Sequence, residues 1–263
     1  TLAAGSGNDI TLDETANNFA SAVVITSGKD VTLVDEDAIV LGASTVSGTY
    51  AVTAGGAVTQ SGALAITGAT TISASGYDVT LNTGANNFQG AVGITGATVA
   101  VVDAGAIDLG ASTVSGTYTV TATAGGGITN TGVLAITNGA TFKVAGGQSI
   151  SLNQANTFSS TVTFTPLSGT ITAVTIRDSN ALDLKALTTT GDLTVTAGGA
   201  VTQTGTLVIP GTTTISASGY AVTLGDSSNN FGTTAITGAD VAIIDTNAIV
   251  LGAATVSGTY SVT

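Results

Sequence analysis

An all-β chain wound as a right-handed parallel β-helix, a β-solenoid, is the fold this sequence predicts, and three observations carry the prediction. A long unit recurs. GTYAVTAGGAVTQSG from Gly48 returns as GTYTVTATAGGGITNTG from Gly116, as GDLTVTAGGAVTQTG from Gly191 and as GTYSVT from Gly258. The unit is thus roughly 70 residues long, and a fixed long period decides architecture before any local reading does. Within the unit, short apolar beats such as Val31-Thr-Leu33, Leu64-Ala-Ile66 and Val79-Thr-Leu81 alternate with Thr, Ser or Ala, the period-two pattern of strands with one buried face. No apolar stripe at helical spacing lasts three turns, so no helix is predicted.

Taken in order, the chain opens inside a unit. Thr1–Leu12 aligns without a gap on Thr70–Leu81, and Thr263 aligns with Thr53, so the sequence reads as an excerpt of a longer array without capping ends. It is expected to form one continuous solenoid over 1–263, with units 1–47 (partial), 48–115, 116–190, 191–257 and 258–263 (partial). The breaks between beats, Gly55-Gly56, Ser61-Gly62, Ser75-Gly76 and Asn82-Thr-Gly84, supply residues that tolerate tight turns. Nine or ten beats per unit suggest about three coils of roughly 23 residues with three strands each, hence about 11 or 12 coils and a rod about 55 Å long. Parallel crossovers favour the right hand.

Three landmarks recur. Asn17-Asn18-Phe19 recurs as Asn86-Asn87-Phe88, Asn156-Thr157-Phe158 and Asn229-Asn230-Phe231. Phe19, Phe88, Phe158 and Phe231 are expected to point into the coil at equivalent places three coils apart, with Asn in the adjoining turn. Asp35-Glu-Asp-Ala-Ile39 recurs from Asp103, Asp178 and Asp245. These four aspartates are expected to accept the backbone amide two residues on, as Asx-turns. Leu41-Gly-Ala43 returns at Leu109 and Leu251. The third unit is longest and most divergent, with Phe142, Phe164, Pro166 and three of the four basic residues.

Composition narrows the function classes. Aromatics make up 4% of the chain, there is no Trp, and Gly numbers 36. A string of small immunoglobulin-like sandwiches would need a large buried aromatic per domain and linkers between domains; the beats instead run through the unit joints without a pause. Net charge is −12, and the only cations are Lys29, Lys143, Arg177 and Lys185. Nucleic acid and anionic lipid both need a basic face that four scattered cations do not assemble. No run of 18 apolar residues suggests membrane insertion, and Thr1–Gly5 reads as repeat rather than leader. With no His and no Cys, nucleophile–base pairs and soft-metal sites have no members. No cofactor is expected. Asp35, Glu36 and Asp37 are the one weak metal candidate, since calcium needs several converging oxygens; the fold is expected not to depend on it.

The units TAGGAVTQSGALAITGATTISASGYDVTL and NNFxxAVxIT…VDxxAIxLGAS resemble the repeat regions of large bacterial exoproteins of the filamentous haemagglutinin type and of autotransporter-like adhesins. The resemblance covers the whole chain and is one of composition and period. It implies a secreted, surface-attached β-helical shaft on a bacterial cell, serving adhesion or cell–cell contact through parts outside this sequence. No functional residue carries over. Expected partners are copies of the chain, end to end or side by side, and a host or neighbouring-cell surface. A self-assembling extracellular filament or sheath is the alternative, and a polysaccharide-acting β-helix enzyme stands further off.

Overall fold

The computed structural model describes residues 1–263 and contains 33 strands and no helix. Strands lie parallel, each against the strand one coil further on. Val31 faces Tyr50, Tyr50 faces Thr70 and Thr70 faces Val92. The fold is a β-solenoid of about 13 turns. One turn therefore takes about 20 residues rather than the roughly 23 that counting beats suggested, and the rod is about 62 Å long at about 4.8 Å per coil.

The shorter coil has a cause in the sequence. Each coil is flattened into two halves, one in each of two sheets. One half is a single strand: Val31–Asp35, Tyr50–Ala54, Thr70–Ser73 or Val92–Gly96. The other is a pair of short ladders: residues 39–41 and 44–46 of Ile39–Val46, then Val58–Gln60 with Leu64–Ile66, then Val79–Leu81 with Asn87–Phe88. A unit holds four of the first kind and three of the second, seven half-coils in all. Two single-strand halves meet at the joint, Val92–Gly96 being followed at once by Val99–Asp103.

Seven is odd, so each unit begins on the sheet opposite to that of its predecessor. Val31–Asp35 pairs in one sheet, its counterpart Val99–Asp103 in the other, Val174–Asp178 in the first again and Val241–Ile243 in the second. Equivalent residues are thus 3.5 coils apart, about 17 Å along the axis, and face opposite ways. The three-coil spacing expected for the phenylalanines is corrected accordingly.

Alternation fills the core. In Val99–Asp103 the buried positions are 99, 101 and 103, with Ala100 and Val102 between them partly exposed. Sixty buried apolar residues form one continuous cluster along the rod. It is not purely aliphatic, because Tyr50, Tyr118, Phe88, Phe142, Phe158 and Phe231 are its largest fully buried side chains. Phe142 stacks on Phe164 one coil on, with ring centres 6.0 Å apart, and meets Tyr118 and Phe158 edge to face. At one corner Gly48, Gly68 and Gly90 stack so closely that a Cβ on Gly68 or Gly90 would strike the backbone of the glycine before it.

The third unit breaks the pattern once. Val162–Pro166 pairs with the next coil only through Val162 and Leu184. The chain then swings outward through Leu167–Thr170, with Gly169 at φ +60°, and rejoins the sheet where Ile171 bridges Thr189.

Candidate functional site

The recurrent landmarks converge on one structure, a polar lock between successive coils at the unit joint. The aspartate ends a single-strand half and its carboxylate turns inward. Asp35 Oδ1 accepts the Asp37 amide at 3.0 Å, and its Oδ2 accepts the Phe19 amide from the preceding coil at 3.0 Å. Asp103 takes the amides of Gly105 and Phe88, both at 2.6 Å. Asp245 takes those of Asn247 at 2.9 Å and Phe231 at 2.7 Å. One oxygen makes an Asx-turn; the other ties that turn to the coil before it. In Asp178 both amides, Asn180 at 3.0 Å and Phe158 at 3.3 Å, go to Oδ1, which leaves its buried Oδ2 without a partner.

Beside each carboxylate lies an asparagine. Asn86, Asn156 and Asn229 are fully buried; Asn86 and Asn229 close the turn beside the phenylalanine, their backbone amides donating to Thr83 O at 3.1 Å and Asp226 O at 3.2 Å. Asn86 Oδ1 accepts the Leu64 amide at 3.0 Å, and its Nδ2 donates to the carbonyls of Leu81 and Val102 at 3.1 Å each. A second amide side chain one coil earlier completes the set. Gln60 and Asn86 exchange two bonds, at 2.8 and 2.9 Å, and Gln203 and Asn229 do the same at 2.8 Å each. Asn130 donates to Asn156 at 2.8 Å. Sequence reasoning missed these partners. Their trace was there in Thr-Gln60-Ser-Gly, Thr-Asn130-Thr-Gly and Thr-Gln203-Thr-Gly, always 26 residues before the buried asparagine.

The aromatic that follows packs into the core. Phe88, Phe158 and Phe231 are 1–2% exposed, whereas Phe19 is only partly buried against the cluster. Phe88 continues the row of Ile66, Phe158 that of Ile136 and Phe231 that of Ile209. In the first unit Asn17 donates to Leu12 O at 3.2 Å. Asn18 spans Glu36 Oε1 at 3.1 Å and Asp37 Oδ2 at 3.0 Å. Asp35, Glu36 and Asp37 are thus each engaged by an N–H donor, and no group of three or more Asp, Glu, His or Cys stands in an ion-holding arrangement.

Burial sets the electrostatics. It pushes the carboxyls of Asp103 and Asp178 above the ordinary carboxylate range, with the amides of Phe88 and Gly105, or of Asn180 and Phe158, opposing it. A second, exposed kind of aspartate behaves the other way. Asp30 Oδ1 accepts the Thr49 amide at 2.7 Å and its hydroxyl at 2.9 Å. Those bonds, led by the amide and joined by the Lys29 contact at 3.0 Å, hold its pKa at about 2. Asp240 and Thr259 repeat the arrangement at 2.8 Å. Burial raises the phenols of Tyr50 and Tyr118 far above their usual range. Beside Tyr50, Ser44 Oγ already donates to Gly42 O at 3.0 Å.

What this arrangement does chemically is join coils: its carboxylates accept backbone amides, and its amide side chains bond to backbone groups and to one another. Fold and locks together define a β-solenoid repeat protein. The chain belongs to the family described as repeats of unknown function (DUF5649), whose model matches residues 1–26, 28–95, 96–165 and 171–237. Its repeats meet near residues 28 and 96, at the joints where two single-strand halves follow one another, and the stretch it skips, 166–170, is the outward loop of the third unit. No curated protein and no solved structure matches the chain.

Proposed function

We propose that this rod is the structural shaft of a secreted, cell-surface adhesin or extracellular fibre, non-catalytic, with adhesion or cell–cell contact carried by parts outside this chain. The supporting observation is that every unit spends its distinctive polar residues on the same task, binding Asp103-type and Asn86-type groups to the neighbouring coil. A unit built this way contributes length and stiffness, and stability sums along the array. Polysaccharide cleavage needs two carboxylates within about 5–10 Å of one sugar bond. Successive recurrent aspartates stand about 17 Å apart along the rod on opposite sheets and are already occupied by amides. The acidic surface keeps a Thr- and Val-rich rod dispersed by self-repulsion, which suits export to the cell exterior.

Imaging of the parent protein, alone and with whole units removed, tests the reading. A shaft gives thin rods of defined length that shorten by about 17 Å per excised unit while binding at the tip persists. Loss of cell attachment on removing any internal unit, with the fold intact, would refute it. Indefinite fibres from the purified protein would instead favour a self-assembling filament.

A further inference from the structure

We propose that the groove opened in the third unit is a lateral docking site for a second copy of this chain, and that it receives the Tyr77–Asp78 turn of that copy. The inference deepens the side-by-side association considered above, yet it does not require the rod to be part of an adhesin.

The groove exists because the sheet parts. Between Val162 and Ile171 the chain stays paired with the coil before it but loses its ladder to the coil after it, opening a cleft of about 500 Å³ between Thr163–Pro166 and Ala186–Thr188. Such a volume suits a side chain or short turn. Phe164 and Leu187 form an apolar floor, 7% and 5% exposed. Pro166 has no amide hydrogen to present to the coil below. The skipped stretch 166–170 in the family match coincides with this cleft, so the place where the unit departs from the family pattern is a place where the sheet opens.

Charge selects the occupant. Lys143 stands in register with Thr165 on the rim and has no carboxylate partner, all three ion pairs of the chain being made by Lys29 and Lys185. In a molecule of net charge −12, a cationic rim beside an apolar floor is complementary to the acidic surface of another copy. Tyr77 is the matching projection. It is 49% exposed at the tip of a turn whose Gly76 has φ +81°, and Asp78 follows it with a carboxylate for Lys143. Tyr220 projects similarly, 48% exposed, but Ala221 follows it, so it is the weaker candidate.

The knob lies on the edge where the chain passes from the first sheet to the second. The groove lies beside the opposite edge. A contact between unlike surfaces on opposite edges does not close on itself, and generates open arrays: rods align edge to edge.

Sedimentation equilibrium on this chain tests the proposal. The expected result is a weight-average mass that rises with concentration up to about 200 μM, in the range of weak contacts, and falls with added salt. Ala186→Trp, which fills the cleft from an exposed position, Thr188→Glu, which turns its rim acidic, and Lys143→Glu should each weaken association at least tenfold with an unchanged circular dichroism spectrum. Tyr77→Ala should do the same, and Tyr220→Ala less. If one of the groove variants fails to fold, the others and Tyr77→Ala carry the test. A chain that stays monomeric, association that survives both Ala186→Trp and Thr188→Glu as pairing through the rod ends would, or association indifferent to Tyr77→Ala each overturns the proposal.

Discussion

Excising one unit should shorten the rod and also rotate everything beyond the cut by half a turn. Removing Gly48–Ser115 joins Ser47 to Gly116. Tyr118–Ala122 then takes the place of Tyr50–Ala54 against Val31–Asp35, with like side chains in like positions. Seven half-coils are lost, so the rod shortens by 3.5 coils, about 17 Å of about 62 Å. Every later residue moves to the opposite sheet. The absence of cysteine lets spin labels at Thr32→Cys and Thr129→Cys report this directly. In the intact chain both positions lie on one sheet, five coils apart, about 24 Å along the axis. After excision they are separated by 1.5 coils, about 7 Å axially, but lie across two sheets packed about 10 Å apart and point outward. Label separation should therefore stay beyond about 15 Å. A separation under about 10 Å, as for neighbours on one face of a sheet, would refute the half-integral unit. Unfolding of the excised chain would refute the interchangeability of units. Removing only Gly48–Leu81 instead sets turns against strands and should abolish the fold.

Asn86→Ala strands the buried Leu64 amide and Gln60 side chain, so it should cost about 2–4 kcal/mol, visible as lost hydrogen-exchange protection at Leu64. The two kinds of aspartate should oppose each other in pH titrations of the melting temperature. For Asp178 the folded pKa lies above the ordinary 3.8, so its contribution to stability rises as pH falls through that folded value; Asp178→Asn should remove this rise. For Asp30 the folded pKa is about 2 against 3.8, so its contribution is full above 3.8 and disappears as pH falls towards 2; Asp30→Asn should remove that loss. A Cβ on Gly127, at φ +75°, collides with the Ser149 carbonyl, so Gly127→Ala should lower the melting temperature well beyond Gly76→Ala, where φ is +81° but the space is open and the cost is about 1–2 kcal/mol. Melting with and without a calcium chelator should agree.

The repeat, the absence of helix and the parallel solenoid were legible because each rests on local pattern: Gly48 and its counterparts fix the period, and beats such as Val79-Thr-Leu81 fix the strand. The parity of the unit was not. A two-residue alternation says which side chains point inward, but not which sheet a strand joins, and Val31–Asp35 and Val99–Asp103 look alike while lying on opposite sheets. The buried asparagines were hidden for a related reason. Asn suits turns, and Asn86 does close one with Thr83, but that local pattern does not say that its side chain is drawn inside. Asn86 is inside because Gln60 meets it from the adjacent coil, a pairing invisible until the coil length is known. Asp35, Asp103, Asp178 and Asp245 could be placed in turns from sequence, since that bond spans two residues; their second bond, to the Phe19, Phe88, Phe158 or Phe231 amide, is again set by the coil. The groove beside Pro166 follows from an insertion whose path depends on where the sheet is rejoined.

The pairs Gln60–Asn86, Asn130–Asn156 and Gln203–Asn229 bear on how such a monotonous chain finds its way to one structure. Coils built from interchangeable Val, Ile and Leu would accept a neighbour from the wrong unit almost as readily as the right one. A growing end that skips or repeats a coil, however, buries a primary amide opposite an aliphatic side chain, at about 1–3 kcal/mol for each group left unbonded. That penalty falls while the newest coil is still an edge and free to detach. The amide pairs thus act as checkpoints in assembly, spaced so that an error is sensed within the unit that makes it.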